Sequence, residues 1–325
     1  MRAMVPLHAS PDDAVVPLEG WRYLRAWDFP LWALIPMLAI AGAYLYGVHV
    51  LHRRGDAWPV VRTISFVGLG LGSLAVAMFS FLAVYDTVLF WVHMVQHMLF
   101  NMIGPVFLVA GAPLTLALRT LPPNPRKALL AVVHSWPAKL LLFPPLTMAL
   151  MMGSPYVLYL TGLYDFTLRN NLAHDLLHVW MVSIGFLFFA PLLSADPVPM
   201  KLPYPIRFLI FLLAMPSHAF IGVIIMSATT LIAEDWYVSF ERTWGPSPLY
   251  DQQLAGGLLW GTGDITMFAG ILAIFVQWYG DSKREAKRID RALDREEALA
   301  AKARYDGDKA VDHDGEMASE DEENP

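Results

Sequence analysis

Two pairs of histidines at helical spacing are the residues in this chain best suited to do chemistry. His93 and His97 lie in the segment 91–102, and His174 and His178 open a second apolar segment. An α-helix repeats every 3.6 residues, so the two members of each pair share one face, one turn apart. Two such imidazoles can bind one metal ion. The sequence therefore predicts two helices that each present a pair of imidazole ligands.

Further polar residues follow the same faces. Gln96 and Asn101 continue the stripe of the first pair, and Asp175 accompanies the second. A carboxylate beside a ligand histidine commonly accepts the second ring N–H and fixes the ring's orientation. We therefore expect Asp175 to orient one imidazole. An incoming ion would meet Asp86 first, because this acid lies in the short connector before the segment of the first pair.

The metal that suits these ligands is copper. The chain has no cysteine, which excludes thiolate zinc sites and iron–sulfur clusters. It has 16 methionines. Met94 and Met98 begin a row beside the first histidine pair. Such a row usually serves packing, but thioethers beside imidazoles also suit a soft metal such as copper. Zinc remains compatible with the imidazoles alone.

Two later segments offer single candidates. His218 and Asp264 fall inside apolar segments and can either complete a metal pocket or serve another role. A lone neutral histidine in a membrane helix is more often a hydrogen-bonding group between helices than a ligand. An acid in a span without Lys or Arg needs a polar partner, which we expect to come from another helix. His8 is assigned to the N-terminal tail, without a role.

The elements that must position these residues are membrane helices. Hydrophobic residues make up 56% of the 325 residues and charged residues 16%, whereas soluble domains are nearer 45–50% apolar. The formal net charge of −6 owes much to an acidic C-terminal tail, so it does not indicate a nucleic-acid partner. The composition predicts an integral membrane protein in the lipid bilayer.

Seven blocks are long enough to cross a bilayer, which needs about 20 apolar residues as helix. The predicted fold is therefore an all-α, polytopic bundle of seven transmembrane helices. The blocks cover residues 31–51, 63–84, 88–111, 138–160, 171–194, 205–232 and 254–279. Gly104-Pro105 should kink the third helix, and Gly111-Ala112-Pro113 should end it. The small residues Gly68 and Gly72, and later Gly257 and Gly261, predict close helix contacts.

The domain boundaries follow from these blocks. Residues 1–29 form a predicted extracytoplasmic tail, 30–280 the transmembrane domain, and 281–325 a charged cytoplasmic tail that alternates acids and bases. From Tyr305 onward the acidic composition predicts disorder. No apolar segment before Pro30 is typical of a cleavable signal peptide.

Lysine and arginine in short loops predict the orientation, because they accumulate on the cytoplasmic side. The N-terminus should lie outside and the C-terminus in the cytoplasm. The predicted cytoplasmic side carries Arg53, Arg54, Arg62, Arg119, Arg126, Lys127, Lys139, Lys201 and Arg207, and the other side carries Arg2, Arg22, Arg25, Arg169 and Arg242.

The histidine motif resembles a known family. His93-Met-Val-Gln-His97, followed by Gly104-Pro105 and Gly111-Ala112-Pro113-Leu114, is similar to the signature of the multi-span CtaG family, assembly factors of caa-type cytochrome c oxidases. The segment His174-Asp175-Leu-Leu-His178 and the segment Asp251-Gln252-Gln253 before the seventh helix are further matches. The likeness covers roughly residues 30–280, in order.

This resemblance implies a membrane protein of the bacterial inner membrane that matures haem–copper oxidases by supplying or inserting copper. Its partners would be oxidase subunits or copper chaperones. It also implies that the four paired histidines are the family's histidine positions and that Asp251 is its acidic position. No hydrolase or nucleotide-binding motif indicates an enzyme. Two alternatives remain: a haem b electron carrier with histidines of the third and fifth helices as axial ligands, and a proton or metal transporter relaying through His218 and Asp264.

Overall fold

The computed structural model describes residues 8–13, 15–193, 196–200 and 202–320, with side chains to residue 302. Arg2 and Lys201, which entered the orientation prediction, lie outside these residues. The described residues form helices and loops without a strand, which confirms the all-α prediction. By contact the chain divides into residues 1–274 and residues 275–325, and the first unit contains every side chain discussed for the site.

Six helices are long and apolar enough to cross a membrane. We label the spans in chain order: α1 Leu31–Arg53, α2 Val60–Tyr85, α3 Phe90–Thr120, α4 Pro144–Leu160, α5 Asn171–Leu193, α6 Tyr204–Ser227 and α7 Pro248–Glu320. α4 and the short helix Leu163–Arg169 meet at a bend of 73°. If the two are counted as one crossing, they form a seventh span. The membrane bundle is thus confirmed, and the side on which each terminus lies stays a prediction.

The predicted block at 138–160 is divided in two. A separate short helix, Trp136–Leu141, precedes α4, and α4 starts afresh at Pro144. Proline suits the first turn of a helix because its missing N–H would have no partner there. The Pro144-Pro145 pair therefore begins a new helix where apolar composition alone suggested continuity.

The third span changes its winding between the histidines and its end. After the α-helical segment Phe90–Met98 comes a π-helical turn, Leu99–Ile103, and the α-helix resumes at Gly104. Pro105, which cannot donate a backbone hydrogen bond, stands directly after this turn. The helix breaks again at Ala112, whose φ of 50° is left-handed, before Pro113–Thr120. The winding therefore changes just before Gly104-Pro105, where a kink was predicted, and the α-helix ends at Gly111 as predicted.

A glycine brings α5 against α3 beside the histidines. A Cβ at Gly185 would fall on the backbone carbonyl oxygen of Asn101 and lie 2.7 Å from the Pro105 ring. Only glycine permits this approach. Since Gly185 stands two turns beyond His178 and Asn101 one turn beyond His97, the contact fixes the two histidine faces against each other.

The predicted glycine contacts of α2 and α7 are only partly present. Gly68 and Gly72 meet only atoms of their own helix within 4 Å, Gly257 meets Met226 Sδ of α6 at 3.9 Å, and Gly261 meets nothing. The close contacts lie on neighbouring faces instead. Gly70 packs against Leu108 of α3, and Gly256 packs against the backbone of Met226 of α6.

The span α7 continues as one helix to Glu320. Its described backbone includes residues that the composition predicted to be disordered, and the division into domains stays a prediction. Within residues 275–302 the side chains are mostly exposed, with Arg284–Asp281 and Arg288–Glu285 ion pairs one turn apart. Such exposed pairs add little stability, so their main effect is solubility.

Candidate functional site

The histidines of α3 and α5 meet inside the bundle. The ring centroids of His93 and His174 are 5.9 Å apart, and those of His174 and His178 are 4.7 Å apart. His93, His97, His174 and His178 all have at most 2% of their surface exposed. Four imidazoles buried in contact at the junction of two spans form a polar centre that apolar packing alone does not require.

Asp86 lies at the centre of the part of this cluster that is nearest the connector between α2 and α3. Its Oδ2 accepts from His174 Nε2 at 3.0 Å and lies 3.8 Å from His178 Nε2. The carboxylate is completely buried. Burial favours the neutral acid, but the imidazoles of His174 and His8 outweigh it, and the pKa of Asp86 lies well below its usual range. The sequence analysis placed Asp86 where an incoming ion enters the site, whereas in the structure its carboxylate lies between the rings of His8, His174 and His178.

His8 is the residue that the sequence analysis missed. Its Nε2 donates to Asp175 Oδ1 at 3.0 Å, and its Nδ1 lies 3.9 Å from Asp86 Oδ1. Burial disfavours the charged ring, but the hydrogen bond with Asp175 and the negative charges of Asp175 and Asp86 raise the pKa of His8 to about 10. Asp175 thus does orient an imidazole, although a different one from those of the two motifs. No spacing signal marks His8, and only its predicted location on the outer side pointed toward the cluster.

These residues offer a set of metal ligands. His8, Asp86 and His174 each supply one ligand atom, and the three atoms all lie within 4.8 Å of one another. Imidazole nitrogens and a carboxylate oxygen suit Cu²⁺ or Zn²⁺. His178 Nδ1 and His93 Nδ1 have no hydrogen-bond partner among the described residues, so the neighbouring imidazoles have unused ring nitrogens.

The inner part of the cluster is organised by Tyr159 of α4. Asn101 Nδ2 donates to His97 Nε2 at 3.3 Å, which leaves His97 Nδ1 as the protonated nitrogen that donates to the Tyr159 hydroxyl at 2.7 Å. The hydroxyl in turn lies 3.1 Å from His93 Nε2 and 4.0 Å from Met94 Sδ. Two imidazoles and a thioether therefore surround one phenol oxygen. The sequence did not single out Tyr159, because it belongs to neither motif.

Other predicted candidates do not join the cluster. Gln96 donates to the backbone carbonyl of Ala77 in α2 at 3.1 Å, so it faces away from the histidine pair. Met98 is buried in the hydrophobic core. His218 packs its Cβ against Gly263, and neither of its ring nitrogens has a hydrogen-bond partner among the described residues.

Asp264 does not find its partner on another helix, as expected. Its Oδ2 accepts from Trp260 Nε1 of the same helix at 2.8 Å. The indole is one turn away, so the pairing is local. The expectation failed because an aromatic N–H at i−4 can satisfy a carboxyl within one helix.

Asp251 holds the start of the histidine helix. Its two carboxylate oxygens accept from the backbone N–H groups of Phe90 and Trp91 at 3.1 and 2.8 Å, and Oδ2 lies 3.2 Å from Arg242 Nη2. Two free N–H groups at a helix start, with the positive end of its dipole, favour a carboxylate there. Asp251 therefore positions α3 and does not itself reach the metal-ligand set.

An apolar cavity of about 570 Å³ lies beside the inner histidine. It runs between α4, the short helix Leu163–Arg169 and α5, and of the four paired histidines only His97 lines it. His97 and Asn101 are among the polar residues that line it, with Ser154 and Thr167.

These features define a polytopic helical membrane protein with a buried histidine–carboxylate centre. The chain belongs to the cytochrome c oxidase caa3 assembly factor family, whose model matches residues 42–281. An oxidase assembly role is accordingly the function that its family indicates.

Relatives of the chain occur in mycobacteria. Uncharacterized proteins of Mycobacterium bovis and Mycobacterium tuberculosis are each 34% identical over 280 residues, covering 84% of this chain and 42% of their own length. An uncharacterized protein of Mycobacterium leprae is 32% identical over the same span. The chain thus covers less than half the length of these relatives. No solved structure matches the chain.

Proposed function

We propose that this chain binds copper in the histidine cluster and delivers it, in the bacterial inner membrane, to a haem–copper oxidase under assembly. The observation that carries the proposal is the fully buried Asp86 carboxylate, faced by the Nε2 atoms of His174 and His178 at 3.0 and 3.8 Å. Placing an ionised carboxylate in a membrane bundle is costly, so a buried carboxylate faced by imidazoles supports a site that exchanges protons for a cation.

The donor atoms change in character along the cluster. Asp86 lies with the imidazoles at one end, and Met94 lies with His93, His97 and Tyr159 at the other. Carboxylate with imidazole suits Cu²⁺ or Zn²⁺, whereas thioether with imidazole suits Cu⁺. A site that offers both donor sets favours copper over zinc, because copper alone uses both oxidation states.

The imidazoles also form a row that a metal ion can follow. Ring centroids of His174 and His93 are 5.9 Å apart, and those of His93 and His97 are 6.4 Å apart. Adjacent rings at these separations allow a new ligand to bind before an old one leaves. An ion would enter at Asp86 and His174, exchange with His93 and then His97, and leave to a recipient at the end where it entered. The recipient would be an oxidase subunit or a copper chaperone.

The haem alternative has one observation in its favour, which is the apolar cavity beside His97. A b-type haem needs a second axial ligand across the macrocycle. The histidine predicted for that position, His178, does not line the cavity, and its ring packs on Phe100 at 4.8 Å. The transporter alternative is weakened by the pairing of Asp264 with Trp260 inside its own helix.

Copper content of the purified protein tests the proposal. After loading with Cu⁺ or Cu²⁺ and desalting, we expect near-stoichiometric copper by inductively coupled plasma mass spectrometry. The double variant His174→Ala, His178→Ala should retain roughly a tenth of it or less, because both imidazoles face the Asp86 carboxylate. The matched control is His134→Ala, because His134 bonds only to the Leu130 carbonyl in the turn before it.

Cellular and spectroscopic readouts complete this experiment. Cells carrying the double variant should assemble less holo-oxidase, measured as oxidase activity and copper content of membranes. Wild-type protein without bound copper, or normal holo-oxidase in the double variant, would contradict the proposal. A Soret band in the purified protein would favour the haem alternative instead.

A further inference from the structure

The segment that precedes the first span reaches the centre of the histidine cluster. The His8 side chain is only 6% exposed, and its ring centroid lies 4.7 Å from that of His174. The family match begins at residue 42, so His8 lies outside the part of the chain that the family model describes. His8 thus reaches the cluster from a segment that belongs to none of the spans.

This segment is held by a few contacts to one short stretch. Thr87 Oγ1 donates to the Ala9 carbonyl and Tyr85 OH donates to the Val16 carbonyl, each at 2.9 Å. Ala9 and Leu18 are buried among the side chains around Leu82 and Val88. Tyr85 and Thr87 flank Asp86, so the segment is fixed at the carboxylate that it covers. His8 adds a hydrogen bond to Asp175 of α5, and Arg22 donates to the Pro17 carbonyl.

The geometry gives His8 the form of a metal ligand with an orienting partner. Asp175 accepts from His8 Nε2 at 3.0 Å, which leaves Nδ1 directed toward Asp86 Oδ1 at 3.9 Å. Histidines that bind a metal are commonly held in one orientation by a hydrogen bond from their second ring nitrogen to a carboxylate. The atoms of His8, Asp86 and His174 lie within 4.8 Å of one another, a spacing that a single ion can close.

We propose that His8 is an exchangeable copper ligand, and that the segment 8–18 is a cap which bound copper ties to Asp86 and His174. This inference rests on the proposed function and concerns how the same site releases its ion. His174 stands on α5 and Asp86 on the short connector between α2 and α3, whereas His8 stands on a segment that belongs to none of the spans. A ligand from a recipient protein therefore displaces His8 first. Copper keeps its oxidation state, and one donor nitrogen replaces another.

Two measurements on the full chain test this inference, with Cu⁺ and Cu²⁺ as the probes. The first is hydrogen–deuterium exchange of the amides in residues 8–18, with and without copper. The second is the rate of copper loss to an excess of a chromophoric chelator. The variants are His8→Ala, Asp175→Asn, which keeps the imidazole but removes its orienting carboxylate, and the control His134→Ala.

Copper should slow exchange in residues 8–18 of the wild type and the control by roughly tenfold or more, the scale on which partners of metal ligands act. His8→Ala should still bind copper, lose it at least about tenfold faster, and gain no protection from it. Asp175→Asn should lose copper at a rate between those of the wild type and His8→Ala. This variant also tests the inference if His8→Ala folds poorly.

The outcomes separate this inference from the proposed function. Copper that binds normally, leaves His8→Ala at the wild-type rate and does not change exchange in residues 8–18 would overturn the cap while leaving the copper site intact. Wild-type protein that takes up no copper would overturn both.

Discussion

Asp86 has the most demanding environment of any side chain in the cluster. It is completely buried, and three imidazoles lie within 4 Å of its oxygens. A carboxylate there either balances protonated rings or binds a cation with them. The same atom set can do both in turn, since a metal ion and a proton compete for the same lone pairs.

Asp86→Asn should weaken copper binding by roughly 10–100-fold, because the amide keeps the shape but removes the anionic donor. A competition titration against a copper chelator, with thermal unfolding measured in parallel, gives the affinity. The matched control is Asp165→Asn, whose carboxylate forms a half-exposed ion pair with Arg169. Unchanged copper affinity in a folded Asp86→Asn protein would remove Asp86 from the site.

At the residue scale the sequence indicated the paired histidines but not their partners. The i, i+4 spacing of His93 with His97 and of His174 with His178 follows from helix geometry, so it is readable without a structure. The positions of His8 and Tyr159 depend on how separate segments pack. Gln96 has the spacing of its neighbours, yet it turns to Ala77 because α2 offers an unpaired carbonyl.

The contact between α3 and α5 is the feature of the elements that sets the geometry of the cluster. Gly185 lets the two helices approach at Asn101, one turn from His97. In a bilayer, helices associate through close packing of small residues because lipid is as apolar as their side chains. A larger residue at this position would separate the helices and, with them, the two histidine faces.

Gly185→Ala should lower the thermal unfolding temperature in detergent, with a cost of about 1–3 kcal/mol for the overpacking. It should also reduce the bound copper, since His178 would move away from its partners on α3. The control Gly153→Ala lies in α4, where an added Cβ meets nothing within 4 Å. Wild-type stability and copper content in Gly185→Ala would show that the approach is not needed.

The elements were predicted well where length and apolar composition decide, and poorly where packing decides. Gly104-Pro105 and Gly111-Ala112-Pro113 marked where the winding of α3 changes and where its α-helix ends, because proline and glycine act on the local backbone. Which glycine faces a neighbour depends on helix rotation, so Gly68 was predicted where Gly70 makes the contact, and Gly256 lies closer to Met226 than the predicted Gly257. The Pro144-Pro145 pair indicates a break before Pro144, but the sequence analysis gave more weight to the apolar composition of residues 138–160.

For the whole molecule, the number of crossings decides the orientation. An odd number of spans places the two ends of the bundle on opposite sides of the membrane, and an even number places them on one side. The short α4 with its 73° bend to Leu163–Arg169 is the element on which this count depends. The distribution of Lys and Arg favours seven crossings with the cluster on the outer side.

Single cysteines can test this, because the chain has none of its own. Asp12→Cys and Ala292→Cys both replace exposed residues. A membrane-impermeant maleimide should label Asp12→Cys in cells with a permeable outer layer, and Ala292→Cys only after lysis. Labelling of both variants, or of neither, before lysis would instead indicate six crossings.

The π-helical turn Leu99–Ile103 has a consequence for how this chain compares with its relatives. Such a turn holds one residue more than an ordinary helical turn, and each residue rotates a helix by about 100°. A homologue shorter by one residue between His97 and Pro105 would aim its imidazoles a quarter-turn or more away from α5. The length of this interval, more than the identity of its side chains, therefore determines whether a relative keeps the centre.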